Sequence, residues 1–259
     1  MNPNIQLYKE LVEFCNSNTD KIETKFVRNL NFNEFHENCF VEMYENIKHL
    51  ENPVEPKLLK EKIPGLTECY KNEVGKYLFK RNNFKKELDI QLGQWYEKAF
   101  QLFLESKNII VNKKGFPFPD FEVIKDDKVI AYYELKFIEA PFVSANTQVK
   151  NTYPYTAKRF DYECSLTLDT GRKLTEQRTK IETDLKDVPT YYVWWFDAPH
   201  LKGIFYMESS EVFDYWDNVG DLHNREKRDG DIDHKQVTTK IYPPLLKMKS
   251  LNDLINTFK

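Results

Sequence analysis

Hydrophobic positions between Leu88 and Ser106 recur every three or four residues: Leu92, Trp95, Tyr96, Ala99, Phe100, Phe103 and Leu104. That spacing predicts a long helix with a wide apolar stripe, of the kind that packs on a sheet. The period then falls to two. Lys107 to Asn112 is expected as a short strand, Lys113 to Pro117 as a loop, and Pro119 to Phe137 as two strands turning at Asp126-Asp127. A helical pattern returns from Arg172 to Leu185, opening at Thr170-Gly171, with Leu174 and Ile181 facing inward and Pro189 beyond its end. Thr190 to Phe196 is an unbroken apolar run, the mark of a strand buried on both faces, and Leu201 to Met207 predicts one more strand. Ser209-Ser210-Glu211 predicts a helix start, and Lys249 to Phe258 a short amphipathic helix. Upstream, residues 4 to 90 are expected to be mostly helical: Leu7, Leu11 and Phe14, then Phe32, Phe35, Phe40, Met43 and Ile47, with breaks at Pro53, Pro56 and Pro64-Gly65.

Helices alternating with strands predict an α/β fold. Within it, one strand is anomalous. Alternation puts Ile130, Tyr132, Glu134 and Lys136 on one face and Val129, Ala131, Tyr133, Leu135 and Phe137 on the other. An acid and a base thus end an otherwise apolar strand, and burying them unpaired would cost several kcal/mol, on the order of 2–7. Asp120, at the start of the neighbouring strand, reaches the same end. Two carboxylates and one ammonium around a small volume suit Mg²⁺, which takes one or two carboxylates, keeps several waters and binds phosphate oxygens.

Pro119-Asp120, thirteen intervening residues, then Glu134-Leu135-Lys136 resembles the PD-(D/E)XK nucleases, the group that includes most type II restriction endonucleases. The resemblance covers about residues 95 to 207, where helix, strand, hairpin, helix, strand and strand follow the family's order. It implies a restriction-endonuclease-like core, a central mixed sheet flanked by helices, with a helical N-terminal extension. The implied division is 1–90 for the helical N-terminal region, 91–210 for the nuclease core and 211–259 for a C-terminal extension packed on it. It further implies that Asp120, Glu134 and Leu135 hold Mg²⁺, with Mn²⁺ able to substitute, and that Lys136 positions or activates the attacking water. Glu97, beside Tyr96 in the long helix, stands where such nucleases often place a further acid. Gln177 stands where some relatives carry a glutamine that helps to hold the site. The implied activity is hydrolysis of DNA phosphodiester bonds at a specific sequence. A nonspecific phage-defence or repair DNase, and a non-catalytic DNA-binding protein on the same fold, remain open.

Composition adds limits. At 259 residues and 41% hydrophobic the chain can bury a sizeable core, and a net charge of −3 means that any phosphate-binding surface must come from local clustering of its 38 Lys and Arg. The segment from Ser144 to Lys180 offers such a cluster: Lys150, Lys158, Arg159, Arg172 and Lys173 to neutralise phosphates, and Asn146, Gln148, Asn151 and Arg178 to read base edges. The basic, aromatic stretch from Tyr70 to Lys86 is expected as a solvated helix face, with a phosphate-facing surface as its alternative. Cys15, Cys39, Cys69 and Cys164 lack the spacing of a zinc ribbon or a disulfide framework. His223, Arg225, Lys227, Arg228, Asp231, Asp233 and His234 fit no metal spacing and are expected in an exposed loop. No apolar run approaches membrane-spanning length and no Walker motif occurs, so a soluble, cytoplasmic protein without nucleotide coupling is expected. Double-strand cutting at a palindrome would be met by a homodimer joined through the N-terminal helices.

Overall fold

Asn2 accepts hydrogen bonds from the amides of Asn4 and Ile5 and so opens α1 (Pro3–Ser17). Asn33 does the same for Phe35 and His36 at the head of α2 (Glu34–Phe40), which runs on into a π-helical turn, Val41–Glu45. The long helix α3 (Lys86–Ser106) leads to β1 (Ile110–Lys113), β2 (Phe121–Lys125) and β3 (Lys128–Ile138). After β4 (Leu168–Asp169) come α4 (Arg172–Thr183), β5 (Thr190–Ala198), β6 (Leu201–Glu208) and α5 (Ser209–Val219). The chain ends with β7 (His223–Arg225), β8 (Thr238–Ile241), a 3-10 turn, β9 (Lys249–Ser250) and α6 (Leu251–Phe258). This computed structural model describes residues 2–22, 30–45, 64–65, 86–115, 118–138, 167–198, 201–221, 223–225, 238–243 and 245–259.

The protein is α/β, built on a mixed six-stranded sheet in the order β1-β2-β3-β5-β6-β9. Only β3 and β5 run parallel; the other neighbours are antiparallel. All nine residues of β5 are buried, as its unbroken apolar run predicts. Tyr192, Trp194 and Phe196 pack on one face with α2, α4 and α5, while Val193 and Trp195 pack on the other with α1, α3 and α6. Tyr8, Leu11 and Val12 of α1 and Leu254, Ile255 and Phe258 of α6 thus share one core with the central strands. The boundaries expected near residues 90 and 210 do not divide that core.

The hairpin forms where expected, because Asp126 and Asp127 both take positive φ (50° and 59°), the pair of left-handed residues that a type I′ turn needs. Ile130 departs from its expected face. A bulge pairs Val123 with Ala131 and Ile124 with Val129, so Ile130 is the extra residue and packs on the α3 side. The strand expected from Lys107 starts instead at Ile110: Asn108 takes φ 62° and the Ile109 amide bonds back to the Leu104 carbonyl, closing the helix first. The helix expected from Lys249 starts at Leu251, since Lys249 and Ser250 pair with Tyr206 and Phe205. His223 and Arg225, expected in a loop, lie on β7, the edge of a second sheet ordered β4-β8-β7. Lys227, Arg228, Asp231, Asp233 and His234 lie outside the described residues.

Asp197 and Lys202 face each other as direct partners across β5 and β6, 3.1 Å apart and only 2% and 1% exposed. Tyr96 donates its hydroxyl to the same carboxylate at 3.0 Å. Removing one member of a buried ion pair costs about 3–5 kcal/mol, because the other charge stays buried. Asp197→Ala should therefore lower the free energy of unfolding by that order in a urea titration, whereas replacement of an exposed acid such as Glu176 should change it by less than about 0.5 kcal/mol.

Candidate active site

The site forms where the β2–β3 ladder stops. Its last pair at that end is Phe121 with Tyr133, yet β3 continues to Ile138 alongside β5. Asp120 supplies the missing partner: its Oδ2 accepts a hydrogen bond from the Leu135 amide at 2.8 Å. The Asp120 carbonyl in turn accepts from the Lys114 amide at 2.8 Å, and the Lys180 ammonium donates to the Phe118 carbonyl at 2.6 Å. The peptide between Phe118 and Pro119 is cis. Leu135 can serve a metal only through its backbone, because its side chain lies in the α3-side core. Its carbonyl points to the same strand edge as its amide, toward Asp120.

Glu134 is 2% exposed, and Lys136 donates to its Oε1. The second oxygen, Oε2, is fully buried with no hydrogen-bond partner among the described residues. Beside Glu134 in register on β5 stands Tyr192, whose hydroxyl donates to Gln177 Oε1 at 2.8 Å. Gln177 is itself buried and ties α4 to the sheet at this point. Helical spacing places Lys173, Gln177 and Lys180 on one face of α4. That face lies over the hairpin acids. Glu97 approaches from α3, but its Oε2 is held by the Lys113 ammonium at 2.8 Å.

Charge repulsion and burial act together on these groups. Burial pushes the Asp120 carboxyl up to about 7, Glu134 and Glu97 add repulsion, and Lys136 and the Leu135 amide only partly offset them. Burial opposes the Lys136 charge, but Glu134 and Asp120 outweigh it and hold the ammonium above its usual range. Repulsion from Lys136, and then the desolvation imposed by surrounding groups, lowers Lys173 against the pull of Glu134, Asp169 and Asp120, although its side chain stays exposed. Burial and then Glu134 push the Tyr192 phenol up.

Asp120, Glu134, Lys136, Gln177 and Lys173, singled out along the sequence, thus come together in space. Arg172 and Arg178 do not join them. Arg172 pairs with Glu176 on the exposed side of α4. The Arg178 guanidinium bonds Glu182 and Asp217 and lies over the Phe213 ring, tying α4 to α5. Asn146, Gln148, Lys150, Asn151, Lys158 and Arg159 lie outside the described residues. Two residues of the site carried no signal: Tyr192 sits in a run that any core would select, and Lys113 in an ordinary basic pair.

Among the described residues no group of three or more His, Cys, Asp or Glu side chains is disposed to hold a metal ion. Two carboxylates suffice for Mg²⁺, which keeps several waters. Glu134 Oε2, buried and without a partner among the described residues, beside an Asp120 carboxyl that feels the Glu134 charge, fits such an ion. No family model matches the chain, and no curated protein matches it. Among the described residues no helix is long and apolar enough to cross a membrane.

The Asp120 carboxyl, raised from the usual 3.8 to about 7 in the folded chain, couples stability to pH. Its contribution is fully present below about 3.8 and is lost as pH rises through about 7, because the unfolded chain releases the proton more readily. In EDTA, the melting temperature should accordingly fall across that window through this group. Asp120→Asn should flatten the decline, and an unchanged slope in thermal melts would contradict the placement of this carboxyl.

Proposed function

We propose that the chain is a divalent-cation-dependent nuclease that hydrolyses DNA phosphodiester bonds, with a type II restriction endonuclease as the closest description. The observation that carries this reading is the meeting of Asp120 with a buried Glu134 whose Oε2 has no partner among the described residues, beside an ammonium that its neighbours keep charged. An acidic pocket under a basic helix face accepts a cation and a phosphate together better than it accepts either alone.

Asp120 and Glu134 would hold Mg²⁺, with the Leu135 carbonyl beside them and Mn²⁺ as a substitute. Held by these residues, the ion would supply charge stabilisation at the phosphate oxygens and a more acidic water. Lys136 is kept protonated by Glu134 and Asp120, so it acts as a hydrogen-bond donor that orients the water and steadies the developing charge. Gln177 and Tyr192 fix the wall against which Glu134 stands. Lys173 lies where a phosphate entering over α4 would meet it. Glu97, held by Lys113, shapes the field at the edge of the pocket. Cutting both strands of a duplex would take two such sites, which a homodimer supplies. Its interface cannot use Tyr8, Leu11 or Val12 of α1, which the protein's own core already covers.

Incubating the protein with plasmid and Mg²⁺ tests the reading: discrete fragments are expected, a smear would indicate a nonspecific nuclease, and uncut DNA would overturn the proposal. Lys136→Met should slow cleavage by at least about a hundredfold while leaving duplex binding in Ca²⁺ intact. Cleavage in EDTA equal to that in Mg²⁺ would remove the metal from the mechanism.

A further inference from the structure

The acids Asp120, Glu134 and Glu97 are flanked by an ammonium from each side of the sheet. Lys113 ends β1 in register with Phe121, the residue after Asp120. Its Nζ lies 2.8 Å from Glu97 Oε2 and 5.9 Å from the centre of the Phe121 ring, and 52% of its side chain is open to solvent. Lys173 stands on the opposite side, exposed in the first turn of α4. The two residues that follow it along the same helix face both touch the site, Gln177 through Tyr192 and Lys180 through the Phe118 carbonyl.

We propose that Lys113 and Lys173 grip the phosphates on either side of the scissile one, so that the DNA backbone crosses the pocket from the β1 edge to the head of α4. Lys113 exchanges Glu97 for phosphate when the duplex arrives. The inference rests on the nuclease reading above and adds to it the path of the substrate and a residue that makes it.

Charge bookkeeping favours these two. A phosphodiester approaching Asp120, Glu134 and Glu97 needs cations, and Lys136 is committed to Glu134. Arg172 pairs with Glu176 on the exposed side of α4, and Arg178 ties α4 to α5 through Asp217 and the Phe213 ring, so neither stands with the acids. A half-exposed Lys–Glu pair contributes little to stability, so Lys113 changes partners at small cost. Phosphate draws it more strongly, because an oxyanion carried on a polyelectrolyte adds the release of condensed counterions.

The test is duplex binding in Ca²⁺ across a range of salt concentrations. Lys113→Met and Lys173→Met should each weaken binding to all sequences alike and each reduce the slope of log K against log salt by about 0.9. Lys113→Arg should restore the slope, which separates lost charge from damaged fold. Glu97→Gln frees Lys113 and should tighten binding in the parent, but not in a Lys113→Met background. Equal tightening in both backgrounds would mean that Glu97 acts through its own charge alone, and would overturn the exchange. A parent that binds with a steep salt dependence, unchanged in both lysine variants, overturns the grip and leaves the nuclease reading standing. A parent that neither binds duplex nor cuts it overturns both.

Discussion

Beyond Tyr133, β3 keeps its parallel neighbour but has lost its antiparallel one, and a single side chain stands in for the missing strand. A buried amide left without a partner costs about 1–3 kcal/mol. The Asp120 carboxylate removes that cost at Leu135, and the same bond fixes where the carboxylate points. Its position at the mouth of the hairpin follows from the backbone, without support from another acid. What remains open beside it is the edge of a strand with no partner strand and with Glu134 and Lys136 on the face toward α4.

That arrangement explains why so polar a corner survives inside so apolar a sheet. Glu134 is tolerated because Lys136 neutralises it from two residues along the same face. Tyr192 fills the space beside it and is itself satisfied by Gln177. The Tyr192–Gln177 bond joins β5 to α4 beside Glu134, so β3, β5 and α4 meet at this point. Burial first, and then the charge of Glu134 and Glu97, holds the Asp120 carboxyl above its ordinary range.

Much of this was legible in the sequence because it is local. The period of α3, the apolar run of β5 and the Asp126-Asp127 turn are each written within a few residues of themselves. Glu134 and Lys136 stood out because charge in an apolar strand demands a reason. The rest depends on distant partners. β4 pairs with β8 through Leu168 with Ile241 and Asp169 with Lys240, and Thr170 just past β4 meets Thr239, 69 positions away; nothing in a two-residue strand announces such a pairing. The bulge at Ile130 depends on how β2 twists against β3, a property of the pair that neither strand carries alone. Tyr192 was hidden for a different reason: a buried tyrosine that serves a site and one that fills a core look identical in a row of aromatics.

The closure of the larger core bears on when the pocket can exist. Phe258, in the last turn of α6, stacks on Tyr133 with ring centres 5.8 Å apart, and Tyr133 adjoins Glu134. Asn4 meanwhile accepts hydrogen bonds from Ser250 and Asn252, lashing the first helix to the last. During synthesis, segments emerge from the N-terminus onward, so the hairpin leaves the ribosome long before the residues that seat it. A half-made chain would carry the acids and the lysine without the packing that aims them. Until α6 has been made, Tyr133 therefore lacks the Phe258 ring that it packs against in the finished fold.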